Sequence, residues 1–237
     1  MIKTHFSNIV LNIPHSRPTG AEFVPYENQE QLVADVNRWT DWYTDQVFAP
    51  DKNIAPWVDV NLFRYSRFLV DVERLDGDAL EASGEGIIYT NFKGNRRPVS
   101  KTESKLLLSL YRQYVNSFRI PSGSLLIDCH SFPSDLAPDV DVCIGFNDDR
   151  SMPKADDIFV AVNLFREHGL KVSLNEPYSN SLTPLEPIRY KSIMIELNKC
   201  IYMDEKRIVP TRVEEVNDII NTLYRRYLGL ENLMIWH

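Results

Sequence analysis

The sequence predicts an α/β fold, a three-layer sandwich in which a mixed, mostly parallel β-sheet is flanked by helices. Short apolar, β-branched runs alternate along the chain with amphipathic helical patterns, and this alternation is typical of α/β proteins. Runs such as Leu125-Leu126-Ile127 are apolar at consecutive positions, as expected of strands that are buried on both faces.

Six runs are predicted to be strands because each is apolar and is bounded by polar residues. They are Asn8–Ile13, Arg67–Val72, Ser124–Cys129, Val140–Phe146, Lys171–Leu174 and Ser192–Leu197.

Three helices are predicted from apolar residues that recur at helical spacing. The first covers residues 29–48, the second follows a capping box formed by Ser100 and Glu103, and the third follows a similar box formed by Thr211 and Glu214. Their apolar stripes are Leu32, Val36, Trp39, Tyr43 and Val47; Leu107, Leu110, Tyr111, Tyr114, Val115 and Phe118; and Val213, Val216, Ile220, Leu223 and Tyr227.

The composition predicts one globular domain over residues 1–237. The chain has 237 residues and contains neither a repeat nor a long linker. The polar, proline-containing stretches near residues 76–100, 131–139 and 176–190 are interpreted as loops of one scaffold. The three cysteines are an odd number and widely spaced, which is not the pattern of a disulfide framework.

The charge and the hydropathy pattern exclude several classes of partner. The formal net charge is −7, which disfavours binding to nucleic acid but leaves room for an anionic small-molecule substrate in a local basic pocket. No stretch approaches about 18 apolar residues, so no membrane span is expected. The N-terminus lacks a secretory apolar region, and a cytoplasmic location is therefore expected. The sequence does not indicate an oligomeric state.

Two of the five histidines follow predicted strands directly. His15 follows the run that ends at Ile13, and His130 follows Ser124–Cys129, so both are expected at the carboxyl edge of the sheet, where α/β proteins bind ligands. Two imidazoles and a carboxylate would form a catalytic zinc site, whereas capping or loop packing is the alternative. Asp128 lies two residues before His130, on the same side of the strand, and either orients that ligand or has a structural role.

Five segments resemble the N-formylglutamate amidohydrolase family and occur in that family's order. They are Asn12-Ile13-Pro14-His15-Ser16, Thr40-Asp41-Trp42-Tyr43, Ser66 to Arg74, Asp128-Cys129-His130-Ser131, and Ile195 to Asn198 followed by Tyr202-Met203-Asp204. The family is similar in fold to zinc carboxypeptidases and aspartoacylases, a phosphorylase/hydrolase-like sandwich with one catalytic zinc ion. The resemblance implies zinc-dependent hydrolysis of an N-formyl or N-acyl amino acid, such as N-formyl-L-glutamate.

The resemblance also implies the metal ligands. His15, His130 and Asp41 would hold the zinc ion. Periodicity alone predicts something different for Asp41, because it shares a face of the predicted helix with Asp45, opposite the apolar stripe, and would be a solvated surface acid.

The resemblance implies that Glu196 is the general base. Its charge lies inside an apolar run, which is costly unless the carboxylate is paired or functional. The alternative is a buried salt bridge with Arg74 or Lys199.

The resemblance further assigns Arg74 to a substrate carboxylate, Arg67 to the scissile carbonyl or the oxyanion, and Asn175 to substrate binding. Arginine suits both tasks because its guanidinium forms planar, paired hydrogen bonds. The alternative for either arginine is a structural ion pair with Asp71 or Glu73.

Three departures from the family pattern affect the expected substrate. Glu73 stands where the family commonly has asparagine, the helical stretch 105–112 has no histidine, and residues 175–181 are not glycine-rich. These departures leave two alternatives open, a related metallo-amidase or carboxypeptidase with a different acyl or peptide substrate, and a non-catalytic binding protein. Cys129 is discounted as a nucleophile because strand neighbours point to opposite sides, away from His130.

Overall fold

The computed structural model describes residues 6–204 and 207–231. In chain order the elements are β1 (Ile9–Ile13), α1 (Gln29–Trp39), α2 (Thr44–Val47), β2 (Val58–Leu62), β3 (Asn91–Phe92), β4 (Asn95–Arg96), α3 (Lys101–Val115), β5 (Leu125–Phe132), β6 (Val142–Gly145), α4 (Ala155–Glu167), β7 (Val172–Leu174), β8 (Lys191–Asn198), β9 (Met203–Asp204), β10 (Arg207–Ile208) and α5 (Pro210–Leu228).

Six strands form one mixed sheet in the order β2-β1-β5-β8-β6-β7. The pairs β1–β5, β5–β8 and β6–β7 are parallel, whereas β6 and β8 are antiparallel. Every residue of β1 and β5 is buried. The predicted α/β fold with a mixed, mostly parallel sheet flanked by helices is confirmed.

The chain divides into two compact units, each built from discontinuous segments. The sheet unit comprises the described residues of Met1–Ile13, Tyr43–Asn61 and Arg119–His237, and the second unit comprises Pro14–Trp42 and Leu62–Phe118. The sheet unit holds α2, α4, α5 and the six-stranded sheet up to Asn61, whereas the second unit holds α1, α3 and the β3–β4 hairpin. The expectation of a single domain stays a prediction.

Five of the six predicted strands are present, and the prediction for Arg67–Val72 is wrong. A turn forms there because the backbone carbonyl of Ser66 accepts hydrogen bonds from the amides of Leu69 and Val70, and its hydroxyl accepts one from Phe68. The run is apolar because Phe68, Val70 and Val72 are buried, which does not require an extended backbone.

The helix predicted over residues 29–48 is interrupted. It ends at Trp39, the backbone turns through Thr40–Tyr43, and Tyr43 adopts a left-handed φ of 64° before α2 begins. Asp41 lies in this turn and is 3% exposed, so the prediction of a solvated acid that shares a helix face with Asp45 is wrong.

One of the two helix-capping predictions is confirmed and the other is wrong. The Ser100 hydroxyl accepts a hydrogen bond from the Glu103 amide at 3.1 Å and begins α3 as predicted. The prediction of a cap at Thr211 is wrong, because α5 begins at Pro210, whose fixed φ suits the first helical position.

The second unit has its own apolar core. Phe68, Tyr89 and Phe92 lie at its centre, and Tyr89 stacks on Phe92 with ring centroids 5.4 Å apart. In the described part of the chain, no helix is both long and apolar enough to cross a bilayer.

Candidate active site

His15 lies two residues beyond the end of β1 and is 3% exposed. Its Nε2 lies 2.8 Å from Oδ1 of Asp71, and its Nδ1 lies 3.7 Å from Oδ2 of Asp41. Because an ionised carboxylate only accepts, the pairing with Asp71 places the proton of a neutral imidazole on Nε2. The lone pair of Nδ1 is then directed towards the side of Asp41.

The turn after α1 brings Asp41 to His15. The amide of Asp41 donates to the backbone carbonyl of His15 at 2.9 Å, so a peptide hydrogen bond holds the two segments together. The separation of 3.7 Å between Nδ1 and the carboxylate is longer than an ordinary hydrogen bond. Two ligands of one zinc ion, each about 2.1 Å from it, lie roughly 3–4 Å apart.

In the second unit, the Asp71 carboxylate accepts hydrogen bonds from four groups. Oδ1 accepts from His15 and from the amide of Glu73 at 3.0 Å, and Oδ2 accepts from Nη2 of Arg67 at 3.1 Å and from the hydroxyl of Tyr89. Burial would raise the pKa of Asp71, but the charge of Arg67 and the hydrogen bond from His15 hold it well below its usual range. The Arg67–Asp71 pair that was the structural alternative is therefore present.

Arg74 lies at the same carboxylate but is held less closely. Its side chain is 22% exposed, with Nε 3.7 Å from Asp71 and Nη1 3.9 Å from Asp78. Burial would lower the pKa of Arg74, but the Asp71 charge raises it, so the group stays cationic. Its backbone carbonyl accepts from the Tyr111 hydroxyl at 2.9 Å, which fixes the chain while the side chain keeps donors for an anion.

Sequence reasoning missed Tyr89, which is fully buried and bonded to both Asp71 and Arg67. The residue lies in the stretch 76–100 that was interpreted as a polar loop. The signal that could have found it is the apolar run Ile87-Ile88-Tyr89 inside that polar stretch.

His130 belongs to the sheet unit and lies on β5. Its Nε2 is 3.0 Å from Oδ1 of Asp128, which also accepts from Nδ2 of Asn12 at 2.7 Å. Oδ2 of Asp128 accepts from the amide of Leu182 at 3.1 Å. Burial would raise the pKa of Asp128, but His130 and these hydrogen bonds lower it. Asp128 therefore holds the imidazole through Nε2, and its bonds to Asn12 and Leu182 also tie neighbouring segments together, so both of the alternatives left open by the spacing are compatible with these contacts.

Glu196 lies on β8 and is 7% exposed. It pairs in register with His130 on the parallel strand β5 and with Cys143 on the antiparallel strand β6. Residues in register present their side chains on the same face of a sheet. His130 and Glu196 are therefore neighbours on one face, and Cys129 lies on the other face, as predicted.

Asn175 has a structural interaction. Its backbone has a left-handed φ of 54°, and its Oδ1 accepts from the amide of Phe146 at 2.9 Å. The side chain closes the connection after β7, and its assignment to substrate binding stays a prediction.

Each unit contains buried residues of types that could hold a metal ion. They are His15 and Asp41 in the second unit and His130 in the sheet unit. Each imidazole has one ring nitrogen engaged by a buried carboxylate, the arrangement in which the other nitrogen serves as a ligand. Imidazole with carboxylate suits zinc and also other first-row metals.

Comparisons with known proteins bear on the fold and on the family of the chain. The chain superposes on the crystal structure of N-formylglutamate amidohydrolase from Ralstonia eutropha JMP134 with a TM-score of 0.73 and 18% identity, over 95% of this chain and 94% of that one. It superposes on a gene product of Agrobacterium tumefaciens with a TM-score of 0.65 and 14% identity, over 94% and 90% of the two chains. These likenesses show a shared fold.

At the level of sequence, no curated protein matches the chain. The profile of the N-formylglutamate amidohydrolase family matches residues 7–203, which is most of the molecule. The chain belongs to the N-formylglutamate amidohydrolase family.

Proposed function

We propose that the protein is a zinc-dependent amidohydrolase that converts N-formyl-L-glutamate into formate and L-glutamate. Family membership supports hydrolysis of this amide. The observation that carries the proposal is the buried His15 imidazole, which has Asp71 on one ring nitrogen and Asp41 on the side of the other. This is the environment of a metal ligand whose tautomer is fixed by a second carboxylate.

His15, Asp41 and His130 would hold the zinc ion. Strand register supports the pairing of the histidines, because Asn12 of β1 pairs with Asp128 of the parallel strand β5. His15 follows Asn12 by three residues and His130 follows Asp128 by two, at the carboxyl end of each strand. A zinc ion held there supplies Lewis-acid polarisation of the amide carbonyl and makes water more acidic.

Glu196 is the general base. It accepts a proton from the attacking water and returns that proton to the amine nitrogen that leaves. Its register with His130 on the neighbouring strand supports this role, since both side chains face the same side of the sheet.

The two arginines divide the anionic groups of the substrate. Arg74 lies 3.7 and 3.9 Å from its carboxylate partners Asp71 and Asp78, and it binds a substrate carboxylate. Arg67 is held by hydrogen bonds of 3.1 Å to Asp71 and 3.2 Å to Tyr89, and it stabilises the negative charge that develops on the carbonyl oxygen. Asn175 contributes to substrate binding at the rim.

The test combines metal analysis with a formate assay on the purified chain. We expect one zinc ion per chain and release of formate from N-formyl-L-glutamate. His130→Ala should lose both, whereas His168→Ala should lose neither, because His168 lies at the end of α4 and bonds the carbonyl of Leu164. A zinc-loaded protein that leaves every N-acyl amino acid intact would refute the proposal.

A second candidate is a related amidase or carboxypeptidase with a different acyl or peptide substrate. Glu73 favours it, because an acid directly before Arg74 opposes the binding of an anion there. N-formyl amino acids with acidic, neutral and basic side chains should be compared with short peptides. A preference for N-formyl-L-glutamate would reject this candidate, and a chain without bound metal would favour a non-catalytic binding protein.

A further inference from the structure

Tyr89 lies between the two charged groups that the proposed mechanism needs in fixed positions. Its hydroxyl donates to Oδ2 of Asp71 and lies 3.3 Å from Nε and 3.2 Å from Nη2 of Arg67, both of which donate to it. One phenol oxygen thus joins the carboxylate that orients His15 to the guanidinium assigned to the oxyanion.

The aromatic core holds the Tyr89 ring in place. The ring is fully buried, stacks on Phe92 and meets Phe68 edge-on with ring centroids 6.0 Å apart. Since packed aromatic rings have little rotamer freedom, the hydroxyl is as fixed as the core itself.

The hydrogen bonds to Tyr89 also determine which edge of the Arg67 guanidinium can donate to a substrate. Arg67 uses Nε and Nη2 for Tyr89 and Asp71, so the Nη1 side of the planar group is the side that can donate to a substrate. Burial raises the pKa of Tyr89 above its ordinary value, so the hydroxyl keeps its proton and continues to donate to Asp71.

We propose that Tyr89 is a positioning residue that fixes the guanidinium plane of Arg67 and the carboxylate of Asp71, and through Asp71 the imidazole of His15. The catalytic meaning of this inference rests on the proposed function, whereas the positioning of Arg67 can be measured without it.

The kinetic test is Tyr89→Phe in the full-length, zinc-loaded protein. The ring and its packing stay, and only the hydroxyl is lost. We expect kcat for N-formyl-L-glutamate to fall about 10- to 100-fold, the usual cost of losing a group that orients catalytic residues. KM should change less than about threefold, because Arg67 acts on charge that develops in the transition state and Arg74 holds the substrate.

Tyr26→Phe is the matched control. Tyr26 belongs to the same core and meets the ring of Phe68 edge-on with ring centroids 6.4 Å apart, and its hydroxyl is buried. Removing that hydroxyl perturbs the same apolar core without touching Asp71 or Arg67, so kcat should stay within about twofold of the wild type.

A second readout reports Arg67 directly. In ¹⁵N-labelled wild-type protein without metal or substrate, the Arg67 Nε–H should exchange slowly with water, because it donates to a buried oxygen. The resonance is identified by its loss in Arg67→Lys. Tyr89→Phe should accelerate this exchange at least tenfold, and Tyr26→Phe should leave it unchanged.

The outcomes separate the inference from the proposed function. If the wild type hydrolyses the substrate and Tyr89→Phe keeps the wild-type kcat, the inference is overturned and the function stands. If the wild type is inactive, the function fails and the exchange measurement alone decides. Rapid exchange of the Arg67 Nε–H in the wild type would overturn the inference even if the Tyr89→Phe protein did not fold.

Discussion

Each of the two histidines is paired with its own buried aspartate. Asp71 accepts hydrogen bonds from the His15 ring, a backbone amide, a guanidinium and a phenol. Asp128 is bonded to the His130 ring and accepts from one backbone amide and one side-chain amide. Both carboxylates stay ionised at neutral pH because these donors lower their pKa values. The aspartates thus determine which ring nitrogen each histidine presents.

Replacing Asp71 tests this arrangement. Asp71→Asn removes the fully buried counter-ion of Arg67, whose side chain is 17% exposed, so we expect a loss of about 3 kcal/mol in the free energy of unfolding, the lower end of the cost of breaking a buried ion pair. Zinc affinity or kcat should fall about 10- to 100-fold. Urea unfolding and zinc titration measure both. Asp78→Asn is the control, since its contact with Arg74 is long and partly exposed, and it should change stability far less.

The stability contributed by Asp71 has a defined pH range. Its pKa is lower in the folded than in the unfolded chain, so the contribution is complete above the unfolded value of about 4 and is lost as pH falls below it. The difference between the wild type and Asp71→Asn should therefore be constant from pH 5 to 7 and shrink towards pH 3. A difference that grew on acidification would contradict the assignment.

The proposed role of Glu196 as general base is tested by Glu196→Gln. Loss of the proton acceptor should lower kcat by about 10²- to 10⁴-fold while the zinc content stays as in the wild type. Glu167→Gln, an exposed acid paired with Arg226 in the same unit, should leave kcat unchanged. Equal activity of the two variants would remove Glu196 from the mechanism.

At the level of single residues, sequence reasoning found the side chains whose place relative to an apolar run is unusual. His15 follows a strand, His130 lies near the carboxyl end of one rather than after it, and Glu196 interrupts an apolar run, so each leaves a local signal. Tyr89 leaves almost none, because its role depends on which residues a loop brings to Asp71. The solvent exposure that periodicity predicts for Asp41 is wrong, because periodicity does not register a turn inside a continuous helical pattern.

The elements follow local chemistry where it is decisive. Ser100 and Pro210 begin α3 and α5 by different means, a side-chain acceptor in one case and a preset φ in the other. The capping-box pattern at Thr211 was misleading because Pro210, directly before it, already occupies the first helical position. The run Arg67–Val72 shows where local patterns fail, because a buried turn can have the same apolar sequence as a strand.

Capping at α3 and α5 gives a paired prediction. Ser100→Ala removes the acceptor of the Glu103 amide and should lower the free energy of unfolding by about 1 kcal/mol. Thr211→Ala removes a hydroxyl that caps no helix and should change it by less than about 0.5 kcal/mol. Chemical denaturation compares the two, and an equal loss would show that Thr211 is a cap after all.

At the scale of the whole molecule, the sheet was predictable because its strands are apolar runs separated by helices of regular period. The division into two units was not predictable, since the chain passes between them after Ile13, Trp42, Asn61 and Phe118 without a change in composition. Such boundaries depend on long-range contacts, which a local pattern does not contain.

Metal removal is tested on the whole protein. If zinc binds only the folded chain, a concentration 100 times its dissociation constant stabilises that chain by about 2.7 kcal/mol. Chelation should therefore lower Tm and abolish formate release, and added zinc should restore both. His15→Ala should unfold at the same temperature with and without zinc. An unchanged Tm of the wild type on chelation would argue against the site.

The hydrogen bond from the Leu182 amide to Asp128 bears on any effort to redesign substrate preference. Grafting the 176–190 loop from a relative is one way to test whether this stretch affects the proposed substrate preference, but the backbone of this loop also supplies a donor to Asp128, which bonds His130. A graft that placed proline at position 182, or shortened the loop just before it, would remove that donor. Metal retention would then decline for reasons unrelated to the new specificity, so designers should keep the register at 182 and vary the residues that precede it.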